Sequence, residues 1–359
     1  MRYSKVYLEA LTYELAPVVV SSLELESRLE KTYKALHLQP GQLEAFTGIR
    51  ERRWWEPGFK LSDGAARAGR KALEQSGLKA ADIGALVYGG VCREQFEPAT
   101  ACAVAEQLGV GGGAAVYDVS NACLGVLSGI VDVANRIELG HIRAGLVVSC
   151  ETAREINDAT IERMSQDAGL ESFKDSLATL TGGSGAVAAL LTDGTFGPKR
   201  RRLVGGATRA APEHHRICRW GLEPVTGLEP LPLHNGYRDR KPVEQVMRTD
   251  AVAVLKNGVA LGKLCWADFL KNLSWTAESV DKVVCHQVGR AHQSEILGAF
   301  GVAPEKDFTT FEFLGNIGTV SLPLTAALAE EREALVAGDH VGWLGIGSGL
   351  NCLMLGWEW

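Results

Sequence analysis

Residues 62–90, SDGAARAGRKALEQSGLKAADIGALVYGG, are echoed by residues 249–287, TDAVAVLKNGVALGKLCWADFLKNLSWTAESVDKVVCHQ. Both read as helix, polar turn and buried strand. Each is followed by a helix ending on a similar phrase, EQLGV at 106–110 and GAFGV at 298–302. Any two βα units share some likeness, but self-similarity at half the chain length favours a duplicated βα unit, since a solenoid would repeat every ~20–50 residues.

Around these echoes, short β-branched and apolar runs alternate with longer amphipathic stretches, the pattern of an α/β protein whose sheets are covered by helices. Five strands are expected in a first half spanning 1–195: Val6–Tyr13, Ala85–Tyr88, Ala115–Val119, Gly145–Cys150 and Ala186–Thr192. Five more are expected in a second half spanning 196–359: Leu203–Thr208, Lys282–His286, Thr309–Phe313, His340–Gly345 and Leu353–Trp357. Apolar residues from Val243 to Phe269 keep a helical period, so one long helix is expected over 243–271. Two stretches stand apart as insertions. Residues 151–181 are polar and helical in pattern, as a cap would be, whereas the proline-rich 212–242 reads as a loop near the boundary.

The chain has 359 residues, 46% of them hydrophobic and 22% charged, which is the range of soluble globular proteins. Its formal charge of -6 gives no whole-chain attraction to nucleic acid or anionic lipid, so small molecules and proteins are the expected partners. Eight cysteines occur without a CxxC pair and are read as reduced. Glu9 and Glu14 interrupt the only place for a signal peptide's apolar core, and no uncharged apolar run is long enough to span a bilayer. A soluble, cytoplasmic protein is expected.

The chemistry starts in AVYDVSNACLGVLSGIVDVANRI, residues 115–137, which reads as a strand, a tight turn and an apolar helix starting at Cys123. A thiol there would meet the positive end of the helix dipole, which can bring its pKa from about 8.5 down to roughly 3.5–7.5. A buried structural cysteine is the bland alternative, and local sequence alone does not separate the two. In the second half, KVVCHQVGRAH puts His286 at a strand end, and FLGNIGTVSLPL puts Asn316 in a strand-to-helix turn. A lone histidine after a strand is usually a packing residue. Three such groups at corresponding strand ends are what acyl transfer needs: a nucleophile, a proton shuttle and donors at the developing oxyanion.

Taken in order, NACLG, HQVGRAH, GNIGTVSLP and GIGSGLNC, with TGIRERRWW at 47–55, resemble the ketoacyl synthase III branch of the thiolase superfamily. The resemblance runs from about residue 47 to 359 and leaves 212–242 uncovered. It implies a thiolase fold, two duplicated βαβαβ halves of five strands each in a layered αβαβα arrangement, as well as a homodimer and a ping-pong reaction through an acyl-cysteine. Cys123, His286 and Asn316 match the family triad, and the backbone N–H groups of Cys123 and Ser348 match its oxyanion donors. A dinucleotide reading of GIGSGLNC fails, because GxGxxG would need glycine where Leu350 stands. No cofactor is expected beyond the coenzyme A or acyl carrier protein thioesters that serve as substrates.

Glu97, in REQFEPATAC, stands where decarboxylating members carry an apolar residue. A malonyl donor makes its carbanion by losing carbon dioxide, whereas a plain acyl thioester must lose an α proton to a base. By itself an isolated Glu in a loop would be solvated surface. The sequence around Glu97 resembles the OleA type, head-to-head acyl-CoA condensing enzymes in which this glutamate reaches the partner subunit's site, so its loop is expected to be buried at a dimer interface. The leading expectation is non-decarboxylative Claisen condensation of two fatty acyl-CoA molecules to a 2-alkyl-3-oxo acyl product. The alternatives are decarboxylative condensation with malonyl carrier protein and a non-catalytic acyl-binding subunit. Where the branch often carries an aromatic and a basic residue to hold coenzyme A, GQLEAF offers only Phe46. His214, His215 and Cys218 fall at a metal-like spacing on a loop, but no metal is expected there.

Overall fold

The computed structural model describes residues 1–198, 201–224 and 243–359. Its strands are β1 (Tyr7–Leu15), β2 (Val18–Ser21), β3 (Glu51–Trp54), β4 (Ala85–Gly89), β5 (Ala115–Val119), β6 (Ala144–Glu151), β7 (Gly185–Thr192), β8 (Arg202–Ala210), β9 (Cys218–Pro224), β10 (Val243–Thr249), β11 (Lys282–Cys285), β12 (His340–Gly347) and β13 (Asn351–Glu358). Nine of them run in the order β11-β12-β13-β8-β1-β7-β6-β4-β5. In the first half β4 is parallel to β5 and β6, and β7 is antiparallel to β6 and β1. The second half repeats this: β11 is parallel to β12, and β13 is antiparallel to β12 and β8. The two halves join through β1 and β8, whose register holds the single pair Tyr7 and Arg202.

The duplicated pattern therefore exists, with one correction. The strand expected at Thr309–Phe313 is a short helix, Phe311–Leu314, and the counterpart of β5 shrinks to a bridge from Asp307 to Val283. The physical reason is the Gln287 side chain, whose Oε1 accepts the N–H groups of Thr310 (2.8 Å) and Phe311 (3.1 Å) that a ladder would otherwise use.

Side-chain alternation along the strands sorts the core into layers. Val87 on β4, Val187 on β7, and Leu353, Leu355 and Trp357 on β13 face a central layer. That layer holds the helices Gly125–Glu138, through Val126, Leu127, Ile130 and Val133, and Ser321–Glu331, through Leu322, Leu324 and Leu328. The intervening residues Leu86, Tyr88 and Leu190 face outward onto the helices Leu61–Ser76 and Thr100–Leu108. Cys352 and Met354 likewise face Ala251–Leu273 and Arg290–Phe300. The result is an αβαβα sandwich.

The long helix expected over 243–271 is also corrected. Residues 243–249 are the strand β10, paired along its length with β9, and the helix begins at Ala251. Asp250 sets that start, since its side chain accepts the Ala253 N–H at 2.9 Å and so caps the first turn. Within the expected loop over 212–242, residues 218–224 instead form an arm of a β-ribbon; residues 225–242 lie outside the described residues. Residues 151–181 carry the helices Arg154–Gln166 and Leu170–Ser176. Among the described residues, no helix is long and apolar enough to cross a membrane.

One close approach fixes the central helix against its sheet. A Cβ built on Gly89, the last residue of β4, would lie 2.6 Å from the Gly125 carbonyl carbon and oxygen and 2.8 Å from the Val126 nitrogen. All three are backbone atoms that cannot swing aside. Gly89→Ala is therefore expected to cost about 1–3 kcal/mol of stability, as overpacking does, read as a lower denaturation midpoint. A variant whose stability stays within about 0.5 kcal/mol of the parent would show that the helix is not held by this contact.

Candidate active site

Cys123 lies in the turn between β5 and the central helix. Ala122 takes a left-handed backbone conformation (φ 45°), and Leu124 N–H donates to the Asn121 carbonyl at 2.8 Å. The helix begins at Gly125, two residues later than the sequence suggests, so the thiol sits just ahead of the first turn. From the other half, the end of β12 closes over it. A Cβ on Gly347 would lie 3.3 Å from the Cys123 nitrogen, so glycine there lets the Ser348 N–H come within reach of the Cys123 sulfur. A side-chain chain ties the two turns together, Asn351 Nδ2 donating to Asn121 Oδ1 (3.0 Å) and Asn121 Nδ2 to Ser128 Oγ (3.0 Å).

The expectation of a low thiol pKa is overturned. Burial pushes the Cys123 thiol up to about 12, and the neighbouring Cys218 and Glu151 push the same way. The backbone N–H groups of Cys123 and Ser348 pull it down, but they recover less than desolvation takes. A thiol with its pKa raised this far is protonated at neutral pH, so as a nucleophile it needs a proton acceptor.

His286 follows β11 and is fixed by its own N–H, which donates to the Leu344 carbonyl at 3.1 Å. Burial, and then the neighbouring His292, bring its pKa down to about 4, so the ring is neutral at pH 7 and free to accept a proton. Its Nδ1 is buried without a hydrogen-bond partner among the described residues. Asn316 is held by backbone on both sides: its N–H donates to Thr181 O, and its carbonyl accepts from Gly183 N, each at 2.9 Å. The Asn316 Oδ1 accepts the Gly318 N–H at 3.0 Å, which leaves the amide NH2 as the group free to donate.

These residues share a space. A cavity of about 320 Å³ is walled by Cys123, His286, Asn316 and Ser348 together. It runs along the apolar face of the helix Ala251–Leu273 (Ala251, Leu255, Val259) toward Phe46 and Arg290. A second cavity, of about 390 Å³, shares Cys123, Asn316 and Ser348 with the first and is walled in addition by Ile156 and Trp220. The capping helix and the β9–β10 ribbon therefore cover the nucleophile, and the ribbon brings Cys218 to both cavities.

Within one chain Glu97 itself is exposed and lines neither cavity, and Phe96 beside it is 97% exposed. Several cavity residues escape a reading of the sequence. Glu151 marks only the start of an insertion there, yet its buried carboxyl faces the Cys123 cavity. His292 lies six positions after His286 in the same motif, which is signal enough to find it. Cys218, Trp220 and Met247 come from the ribbon, whose pairing no local pattern announces. Arg290 brings a basic group to Phe46 from 244 residues away, for a Cβ on Gly48 would lie 2.9 Å from the Arg290 Cβ.

Comparison with known proteins agrees with this geometry. Residues 270–359 match the family model of the 3-oxoacyl-[acyl-carrier-protein] synthase III C-terminal domain. The chain is 55% identical over 362 aligned residues to the acyl-CoA:acyl-CoA alkyltransferase of Shewanella oneidensis, covering all of both. It is 36% identical to the enzyme of the same name from Xanthomonas campestris, again over the full length of both. A crystal structure of Xanthomonas campestris OleA superposes with a TM-score of 0.90 at 35% identity, covering 100% of this chain and 98% of that one. Related structures of that protein carry replacements of a cysteine, a glutamate or a histidine.

The raised thiol pKa is directly measurable. Alkylation of Cys123 by iodoacetamide, followed on its own peptide because the exposed Cys102 would react as well, is expected to keep rising with pH beyond 9. A thiolate plateau with a midpoint near 6–7, in the range of helix-activated cysteines, would contradict the burial argument.

Proposed function

Since the chain belongs to the acyl-CoA:acyl-CoA alkyltransferase family of thiolase-fold condensing enzymes, we propose that it joins two fatty acyl-CoA molecules by non-decarboxylative Claisen condensation through an acyl group on Cys123. The observation that carries this reading is that two apolar cavities, rather than one, converge on Cys123. One can hold the acyl chain already loaded and the other the incoming donor.

In the first half-reaction the neutral His286 imidazole accepts the Cys123 proton as the sulfur attacks the thioester carbonyl. The Cys123 and Ser348 N–H groups face the developing oxyanion, and coenzyme A leaves as its thiol. In the second, Asn316 NH2 and His286 hold the donor's thioester oxygen while a base removes its α proton. The carbanion attacks the acyl carbonyl on Cys123, the C–S bond breaks, and the proton that the base removed passes to the sulfur. The loaded chain becomes the 3-oxo end of a 2-alkyl-3-oxoacyl-CoA.

Glu97 is the base in this scheme. Because it lies outside its own chain's cavities, the scheme needs a second copy to deliver it, and an exposed Phe96 is the kind of anchor a subunit interface would bury. The working unit is accordingly a homodimer in the cytoplasm, with residues 1–195 supplying the nucleophile and 196–359 the histidine and asparagine. No cofactor takes part beyond the thioester carrier. Phe46 and Arg290, at one cavity's mouth, favour coenzyme A as that carrier.

Incubation with a long-chain acyl-CoA alone, without any malonyl thioester, is expected to give the coupled product by mass spectrometry. Glu97→Gln is expected to load Cys123 at nearly the parental rate and to lose condensation, whereas Cys123→Ala should lose both. Full condensation by Glu97→Gln would return the chain to the decarboxylating class. The loading step carries a second signature. A histidine with its pKa depressed to about 4 stays unprotonated, though a weaker base, well below its ordinary value of 6.5, so the acid limb of loading should lie near pH 4–5. The same sign applies to stability: the folded state refuses the proton that the unfolded chain accepts, so His286's contribution is lost as pH falls from about 6.5 toward 4.

A further inference from the structure

The loop carrying Glu97 leaves the sheet at Gly90 and returns at Thr100, the first residue of a helix. Its outgoing root is stitched to the end of β6. Glu151 Oε1 accepts the Val91 N–H at 2.8 Å, and Oε2 accepts the Cys92 N–H at 3.1 Å. The Tyr88 hydroxyl bridges the carbonyls of Cys92 (2.9 Å) and Cys150 (2.6 Å), and Cys92 Sγ reaches the Thr152 carbonyl at 3.5 Å. The returning end is anchored as well. Asp118 accepts the N–H groups of Thr100 (3.0 Å) and Ala101 (2.9 Å), while Glu94 Oε1 accepts from Ser62 N (2.8 Å) and Oγ (2.6 Å). Between these anchors, Gln95–Pro98 is exposed and makes no side-chain hydrogen bond within the chain among the described residues. The direction in which Glu97 projects is therefore set at the root.

Glu151 is the root's only ionisable anchor that also looks into the nucleophile's cavity. It is 4% exposed, shares the cavity wall with Val91, Cys123 and Asn316, and lies 3.6 Å from where a Gly318 Cβ would stand in the Asn316 turn. A buried carboxyl is costly to keep, and burial pushes this one up to about 7 against the pull of the Cys92 thiol and the two N–H donors. Its charge would push the Cys123 thiol pKa up, the opposite of activating the nucleophile.

We propose that Glu151 is a positioning residue for the condensation step: its two carboxylate oxygens fix the root of the Glu97 loop to β6 and so aim the base, while giving acyl loading no assistance. The inference rests on the reading of Glu97 as the base. It predicts an asymmetry between the half-reactions that a general structural role would not produce. Glu151→Gln keeps the shape but offers an NH2 to one of the two N–H donors, so that bond is lost and the loop root is freed.

The experiment measures the two half-reactions separately in purified full-length protein, loading by intact mass and condensation by chromatography of the coupled product. Glu151→Gln is expected to load Cys123 within about twofold of the parent or somewhat faster, since a charge opposing the thiolate is gone. Condensation should fall by roughly tenfold or more, as misplacement of a catalytic group does. Glu151→Asp, which cannot reach both N–H groups, should show the same split. Tyr88→Phe, which removes the neighbouring stitch, should show a weaker one. The residual condensation of Glu97→Gln, followed in long incubations at high enzyme concentration, should fall no further when Glu151→Gln is added, because that change acts through the base already removed. Equal losses in both half-reactions, or an additive loss in the double variant, would overturn the proposal. Full condensation by Glu97→Gln alone would instead overturn the assignment of the base.

Discussion

Desolvation of the Cys123 thiol is the constraint on which the rest of the site depends. A condensing enzyme that stabilises a carbanion must keep water from both the acyl-cysteine and the carbanion, and excluding water raises the pKa of the nucleophile it surrounds. Burial and the carboxyl of Glu151 both oppose the thiolate here, and two backbone N–H groups do not compensate. The same burial that disables the thiol on its own also makes His286 a neutral base. Burial in one cavity therefore shifts both pKa values, in opposite senses, and favours a neutral thiol beside a neutral imidazole over a preformed thiolate and imidazolium.

The duplicated fold supplies the geometry for this. The first half presents Cys123 at the end of β5 through a helix pressed against Gly89, and the second presents His286 after β11 and the Ser348 N–H after β12. Because the halves meet across a shared layer of central helices, their strand ends converge on one point without a flexible linker between catalytic groups. Glu97 is the exception, since it lines neither of its own chain's cavities.

What is legible in the sequence follows from where local pattern and tertiary context agree. The buried strands β4, β6, β7, β11, β12 and β13 read directly as apolar runs because each is covered on both faces. The turn residues Cys123, His286, Asn316 and Ser348 are legible because their order and glycine-rich settings match a known pattern. Val243–Thr249 reads wrongly as helix because its apolar spacing continues that of the real helix; only the Asp250 cap marks the break, and a single cap residue is a weak signal. Thr309–Phe313 reads wrongly as strand because the Gln287 side chain, remote in sequence, takes its N–H groups. The low pKa expected for Cys123 fails for a related reason, since a helix N-terminus is a local feature and burial by a cap and a ribbon is not.

The central claim is that the acyl group on Cys123 becomes the 3-oxo end of a product whose other half is an unactivated acyl-CoA. It is tested most directly by loading the enzyme with a carbonyl-labelled acyl-CoA, removing free coenzyme A, and chasing with an unlabelled acyl-CoA of different length. The account predicts a mixed product with the label only at C3, formed as the acyl mass leaves Cys123 and without release of carbon dioxide. An acyl-enzyme that persists through the chase and discharges only when a malonyl thioester is added would contradict it.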